Sequence, residues 1–503
     1  MERAALRIVQ LGAIAVVLAA SPREVFDLDR FLVPKELVLH ATALLAGLLL
    51  FRRIRFTRID WFLLAYLLLS AVSVIFATNP WMGMRAVALS ASGVMLFWIA
   101  RALRDADLSR PLLNALAFAV VLAAGTALLQ AYGLDLTIFP SSRAPGGTLG
   151  NRNFVGHAAA FGLPLVLYAA LNARRFVLAS TGVTIVMAAL VLTRSRAAWL
   201  ACAVSMAVFF IAMLVSRSMP WKRFAGVVVF AVIGVVAALV IPNALRWRSE
   251  NPYLESVQGV VNYEQGSGRG RLVQYTQSLR MAAAHPILGV GPGNWSVRYP
   301  EYAARRDGSM NESEPGTTFN PWPSSDWVAF VSERGFAAAA LLAFVFVTML
   351  NVGRGFSPPP TGEGGLKPRP TSATLLATIA AAGVAGAFDA VLLLALPSFI
   401  VWTALGALAI PRQPPTANRQ PIAILVILIS LLGLVRSASQ LIAMEIYATR
   451  GDRASLERAA RIDPGNYRVR LRLARKGRCE HARAAHALFP SAAAAKAAAR
   501  SCR

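Results

Sequence analysis

Long, nearly uncharged apolar runs recur along almost the whole chain, and no other feature restricts its fold as strongly. A hydrocarbon core about 30 Å thick is crossed by about 20 residues of α-helix, inside which every backbone N–H and C=O must find its partner internally. Such runs cover roughly 5–20, 37–51, 61–77, 85–100, 112–132, 154–171, 176–193, 197–215, 224–240, 327–350, 373–394, 397–410 and 421–434, which predicts an all-α integral membrane protein of about 12–13 transmembrane helices. With 56% hydrophobic and 15% charged residues and a mean hydropathy of +0.54, the chain is too apolar for water to be its only solvent. Ser21-Pro22-Arg23 is no small-x-small cleavage site, so the first run is expected to stay as a helix rather than leave as a signal peptide.

A net charge of +26 would suggest nucleic acid in a soluble protein, but here much of it flanks apolar runs. If the N-terminus is cytoplasmic, alternate connections carry Arg52, Arg53, Arg55 and Arg58; Arg101, Arg104 and Arg110; Arg174 and Arg175; Arg217, Lys222 and Arg223; Arg354, Lys367 and Arg369; and Arg412 and Arg419. Cytoplasmic enrichment of arginine and lysine is the rule for membrane proteins, so membrane lipid is the expected partner and nucleic acid is not.

Four regions follow: a first transmembrane bundle over 1–240, a polar loop over 241–326, a second transmembrane group over 327–436 and a basic tail over 437–503. The loop is about 85 residues long, well beyond an ordinary connection, and its many aromatic residues predict short helices lying over the membrane face, one of them over 272–284. The segment 357–371, rich in proline and glycine, reads as a cytoplasmic linker. In the tail, helix-forming stretches separated by Asp463-Pro464-Gly465-Asn466 look like tetratricopeptide-type pairs, with a helical hairpin as the simpler alternative, and suggest a protein partner. Cys202 lies in an apolar run and reads as packing, whereas Cys479 and Cys502 in the tail are a candidate disulfide if that compartment is oxidising.

The polar motifs fall at helix ends on the side opposite the arginine-rich short loops. Gly146-Gly147-Thr148-Leu149-Gly150-Asn151-Arg152-Asn153 opens the sixth span, where free N–H groups and Arg152 suit an anion; an ordinary re-entry turn is the alternative. Arg194 and Arg196 stand at the same boundary, where an arginine facing lipid is costly, so they should face a cavity, an anion or lipid headgroups. The loop adds Arg269, Arg271, Arg280 and Arg298 among glycines that read as loop residues around a surface helix. Arginine offers a planar fork for two phosphate oxygens and keeps its charge, so the set suits a diphosphate.

In order, Gly147–Asn151, Thr193-Arg194-Ser195-Arg196-Ala197, Ser267-Gly268-Arg269 with Arg271 and Tyr275, the run from His285-Pro286 to Gly293-Asn294, and Glu333-Arg334-Gly335 resemble the landmarks of the O-antigen ligase and polymerase superfamily. Phe31-Leu32-Val33-Pro34-Lys35 and Asp389 match it too, so the resemblance spans roughly residues 25–410. It implies a GT-C-type glycosyltransferase of the bacterial inner membrane, with the long loop and the tail in the periplasm. Such enzymes move a glycan from undecaprenyl diphosphate to the hydroxyl of an acceptor glycan, glycolipid or protein, with no cofactor and no metal. Arg152, Arg194, Arg196, Arg269, Arg271, Arg280 and Arg298 would hold the diphosphate and neutralise the leaving group, Arg271 acting in catalysis as well.

The chain departs from the ligases at one point. Where they carry a histidine ahead of Glu-x-Gly, this sequence has Ser324, which cannot act as a base at neutral pH. Asp326 is the nearest carboxylate, with helix N-capping as its other role, and Glu312 and Glu314 are loop alternatives. His285 reads as a turn residue. A polysaccharide flippase or a non-catalytic assembly protein is the competing reading, although the concentration of polar residues on one face suits surface chemistry better.

Overall fold

In a computed structural model of the protein the apolar runs form α1 (Glu2–Leu18), α2 (Asp29–Leu50), α3 (Arg58–Ile75), α4 (Pro80–Asp105), α5 (Ser109–Ala131), α6 (Arg152–Asn172), α7 (Phe176–Thr193), α8 (Arg196–Val215) and α9 (Trp221–Val240). The polar loop holds α10 (Pro252–Gln258), α11 (Gly266–Ala284) and α12 (Trp295–Arg298). The apolar helices α13 (Asp326–Gly353), α14 (Pro370–Phe388), α15 (Ala395–Leu408) and α16 (Gln420–Thr449) follow, and the tail folds as α17 (Arg453–Ile462), α18 (Tyr467–Ala474), α19 (Cys479–Leu488) and α20 (Ala493–Arg500). The structure describes all residues except 27, 141, 218, 248, 250, 259–265, 354–369, 409–419 and 503. Most of the expected linker, with Arg354, Lys367, Arg369, Arg412 and Arg419, lies outside the described residues.

Among the described residues 11 helices are long and apolar enough to cross a membrane; the two other predicted spans are α1, of 17 residues, and α15, of 14. Among the described residues no strand accompanies them beyond an isolated bridge between Met310 and Thr318. The protein is therefore all-α, as its apolar runs predict. Burial sorts the helices: α4, α6 and α15 are enclosed, whereas α9 turns Val228, Val232 and Val236 outward as a lipid-facing helix would. Small residues allow the close crossings, since a Cβ on Gly406 would stand 2.1 Å from the Phe97 carbonyl oxygen.

The helix ends segregate. At one end Arg110 donates to the Asn172 carbonyl and Arg223 to the Leu171 carbonyl, and Arg53 pairs with Glu2. At the other the tail meets the long loop and the turns between helices: Ala493 N–H donates to the Pro315 carbonyl, Asn79 to the Gly465 carbonyl and Arg468 to the Val25 carbonyl. Cys479 and Cys502 form a disulfide that ties α19 to the end of α20. Cys202 is buried in α8.

Three local expectations change. Arg101 is no loop cation: α4 runs on to Asp105, and Arg101 is buried against Asp60 at 3.0 Å, an acid that also accepts from the Trp98 indole. The arginine- and glycine-rich stretch before 272 is helical, because α11 starts at Gly266. The last apolar run continues to Thr449, so the start of the tail is the C-terminal end of α16.

Candidate functional site

The first turn of α6 is where polar groups from distant parts of the chain meet. Gly147 and Gly150 both adopt positive φ, +50° and +79°, in the turn that leads into it. A Cβ on Gly147 would strike the Ala127 backbone at 2.8 Å and one on Gly150 the Phe31 ring at 2.2 Å, so only glycine lets this turn seat against α5 and α2. Lys35 fixes it from below, donating to the Thr148 carbonyl at 2.8 Å and the Val17 carbonyl at 3.2 Å. Asn151 then caps α6 by accepting from the Asn153 N–H.

Around that helix start the arginines divide. Arg194 closes α7 in a left-handed conformation, stacks over the Trp247 ring at 4.7 Å and binds Ser256 at 2.9 Å and Glu255 at 3.2 Å. Arg152 lies over the same indole at 5.2 Å and close enough to Arg194 and Arg143 to feel both charges. Arg196 opens α8 from the same turn, whose Ser195 Cβ would lie 3.0 Å from a Cβ on Gly156. Arg271, half-buried on α11, lies within electrostatic reach of His157 of α6, as does Asp389. Asn153, one helical turn before His157, reaches Asp389 at 3.4 Å.

The other candidate arginines have different surroundings. Arg269 is exposed, as its position about 200° around the helix from Arg271 dictates. Arg280 lies about 13 Å further along α11 and is exposed beside Gln277. Arg298 pairs with Glu301 at 2.9 Å.

The segment 322–326 packs against α6, α11 and the turn between α14 and α15. Tyr275 of α11 donates to the Ser324 carbonyl and, at 2.9 Å, to the Ala387 carbonyl, while the Ser324 N–H donates to Gln274. Trp322 packs on Phe154 in the first turn of α6. Asp326 is fully buried, and its carboxylate accepts the N–H groups of Val391 at 3.0 Å and Leu392 at 2.8 Å, shaping the turn between α14 and α15. Glu312 and Glu314 lie on the exposed outer loop.

The glycine-rich run from His285 to Asn294 meets α13 rather than the arginines. Gly335 breaks α13 with φ +80°, and strand-like contacts join the break to the run: Val290 N–H to the Ser332 carbonyl and Gly291 N–H to the Glu333 carbonyl, both 3.0 Å. The Glu333 carboxylate accepts from Gly293 and Trp295 N–H groups, and Arg334 is buried on Tyr66, Ser70 and Ser90. His285 touches the Tyr302 hydroxyl at 3.3 Å, a contact that suits a turn residue.

Sequence reasoning passed over His157. It is 1% exposed, and neither ring nitrogen has a hydrogen-bond partner among the described residues. Its signal was available, since an ionisable residue inside an apolar run is a functional candidate by default. Arg143 and the stacking on Trp247 carried no such signal, because only folding brings the loop over 132–151 to the long insert.

No curated protein matches the chain. Residues 181–343, about a third of the chain, match the family described as O-antigen ligase. That match runs from α7 through the Arg194–Arg196 turn and the long loop into the broken helix α13.

Proposed function

We propose that the protein is a glycosyltransferase that moves or polymerises a glycan from a polyprenyl diphosphate, undecaprenyl diphosphate in bacteria, onto an acceptor hydroxyl. The observation that carries this reading is the convergence of Arg152 and Arg194 on the Trp247 ring at the start of α6, with the unpartnered imidazole of His157 one turn along that helix and within electrostatic reach of Arg271 and Asp389. Arg152, Arg194, Arg196 and Arg271 hold the diphosphate at a helix N-terminus, where cations and N–H groups stabilise the negative charge it gains on leaving. The acceptor oxygen bonds to the anomeric carbon as the bond from that carbon to the diphosphate oxygen breaks. The acceptor proton passes to a ring nitrogen of His157, which serves where Ser324 cannot. Asp326 positions the turn that carries Asp389, since its oxygens are already engaged. The disulfide in the tail, which lies on the same side as the site, supports a periplasmic setting because such bonds persist in oxidising compartments.

The test is release of polyprenyl diphosphate by the purified protein from a lipid-linked oligosaccharide in the presence of acceptor. Wild type is expected to release it, and Arg271→Ala to lower the rate by roughly 100- to 1,000-fold, the usual cost of losing one charge-stabilising donor. No release with any acceptor glycan, glycolipid or protein would instead favour an assembly or transport role.

A further inference from the structure

The tail does not stand free of the membrane domain. Asp463 accepts a hydrogen bond from the Trp81 indole at the start of α4, Arg436 of α16 stacks on the same ring at 5.4 Å, and a Cβ on Gly465 would lie 2.3 Å from the Trp81 side chain. Beneath this contact is a cavity of about 600 Å³, within the range that encloses small ligands. Its floor is α2, α4 and α16, one wall is the loop over 311–322, and its roof is α18 with Phe489 of the tail.

The lining is informative. Trp81, Phe319, Trp322, Tyr467 and Phe489 line it. Acidic and basic side chains are present in near balance, and the deepest are already paired: Arg85 binds Glu36 at 2.8 Å and Asp29 at 3.2 Å. Arg436 is spent on the Trp81 carbonyl and on Gln440. A chamber so compensated offers no net field for a diphosphate, unlike the arginines at the start of α6. It does offer what a hydroxyl-rich ligand needs, carboxylates to accept O–H groups, amides and guanidiniums to donate, and aromatic faces for the apolar faces of sugar rings. The two sites adjoin: Trp322 lines the cavity and packs on Phe154 of α6, and Arg143, stacked on Phe319 at the cavity wall, feels the charge of Arg152.

We infer that the tail is the roof of an oligosaccharide-binding chamber, and that the chamber holds the acceptor glycan with its reactive hydroxyl directed past Trp322 toward the arginines at the start of α6. This rests on the transferase reading for its role, but not for the binding itself. The tail contributes side chains to the site rather than serving as a detached adaptor for a protein partner.

The experiment uses the full chain in detergent and, as probe, the lipid-free oligosaccharide released from lipid-linked donor by mild acid. Phe319→Ala removes an exposed ring from the wall, and Thr318→Trp fills the chamber from the same strand-like loop. Wild type is expected to show saturation-transfer NMR signals from the oligosaccharide that excess inorganic diphosphate does not displace. Both variants are expected to weaken this binding by roughly tenfold, about 1.4 kcal/mol, and to raise KM for acceptor while leaving KM for lipid-linked donor unchanged. Binding without any transfer would sustain the chamber and remove the transferase reading. Unchanged binding in both variants, displacement by diphosphate, or a rise confined to the donor KM would overturn the inference while leaving transfer itself intact.

Discussion

Asp326 and His157 look alike in sequence, each a lone ionisable residue at or inside an apolar run, yet their surroundings are opposite. The carboxylate of Asp326 is saturated by backbone N–H groups, so Asp326→Asn should act on stability first. An amide presents one acceptor oxygen where two N–H groups converge, and a cost of about 2–3 kcal/mol is expected, read as a lower Tm in detergent. A base would behave differently, losing turnover at unchanged Tm. His157 should show that second pattern. His157→Ala leaves a hole of about the size of imidazole, so release of polyprenyl diphosphate should fall at least tenfold and be partly restored by added imidazole, without a matching change in Tm. Absence of rescue together with a fallen Tm would assign His157 to packing. Sequence alone could not separate these two residues, because what distinguishes them is whether their polar atoms have found partners, and every relevant partner is remote in the chain.

At the level of elements, the break in α13 joins the two most distinctive motifs. Gly335 has φ +80° and ψ 168°, a region open essentially to glycine alone, and a Cβ there would meet the Ile287 carbonyl oxygen at 2.1 Å. Gly335→Ala is expected to cost about 3 kcal/mol or more and to make the loop over 285–294 more susceptible to limited proteolysis. Gly383 in α14 provides the contrast. Nothing lies within 4 Å of its Cβ position, so Gly383→Ala should be neutral or stabilise by up to about 1 kcal/mol. Both thermal unfolding midpoints check the pair. The sequence spacing revealed that Glu333-Arg334-Gly335 and the His285 run were special, but not that one is stitched to the other. Helix α11 shows the converse limit: its glycine-rich start reads as loop by propensity, and docking through Tyr275 and Gln274 outweighs that preference.

Across the whole molecule, the tail couples to the membrane domain through a few polar contacts, and its own integrity should depend on pH. His481 is buried between α18 and α19, where burial and the Arg470 guanidinium at 2.8 Å hold its pKa below the usual value; Arg478 adds to this, and Glu480 and Glu457 oppose it. The unfolded tail therefore takes up a proton more readily, so tail stability is full above about pH 6.5 and declines as the pH falls from there toward the lowered folded pKa. Hydrogen exchange of α18 and α19 amides, corrected for intrinsic rates, should show protection falling between pH 7 and 5 in wild type, with a flatter profile in His481→Asn. At this scale the division between chain and fold is plain. The apolar runs determined by themselves that the protein is a bundle of membrane-spanning helices with its polar motifs at their ends, because a span needs only the local hydropathy of its own residues and backbone bonds closed within four residues. Tertiary structure decided that Arg152 and Arg194 share the Trp247 ring at the start of α6 while Arg298 pairs with Glu301, that the Asp326 carboxylate is occupied and the His157 ring is not, and that the tail packs on Trp81. Those outcomes depend on helix rotation and on contacts between residues tens to hundreds of positions apart, which no local pattern encodes.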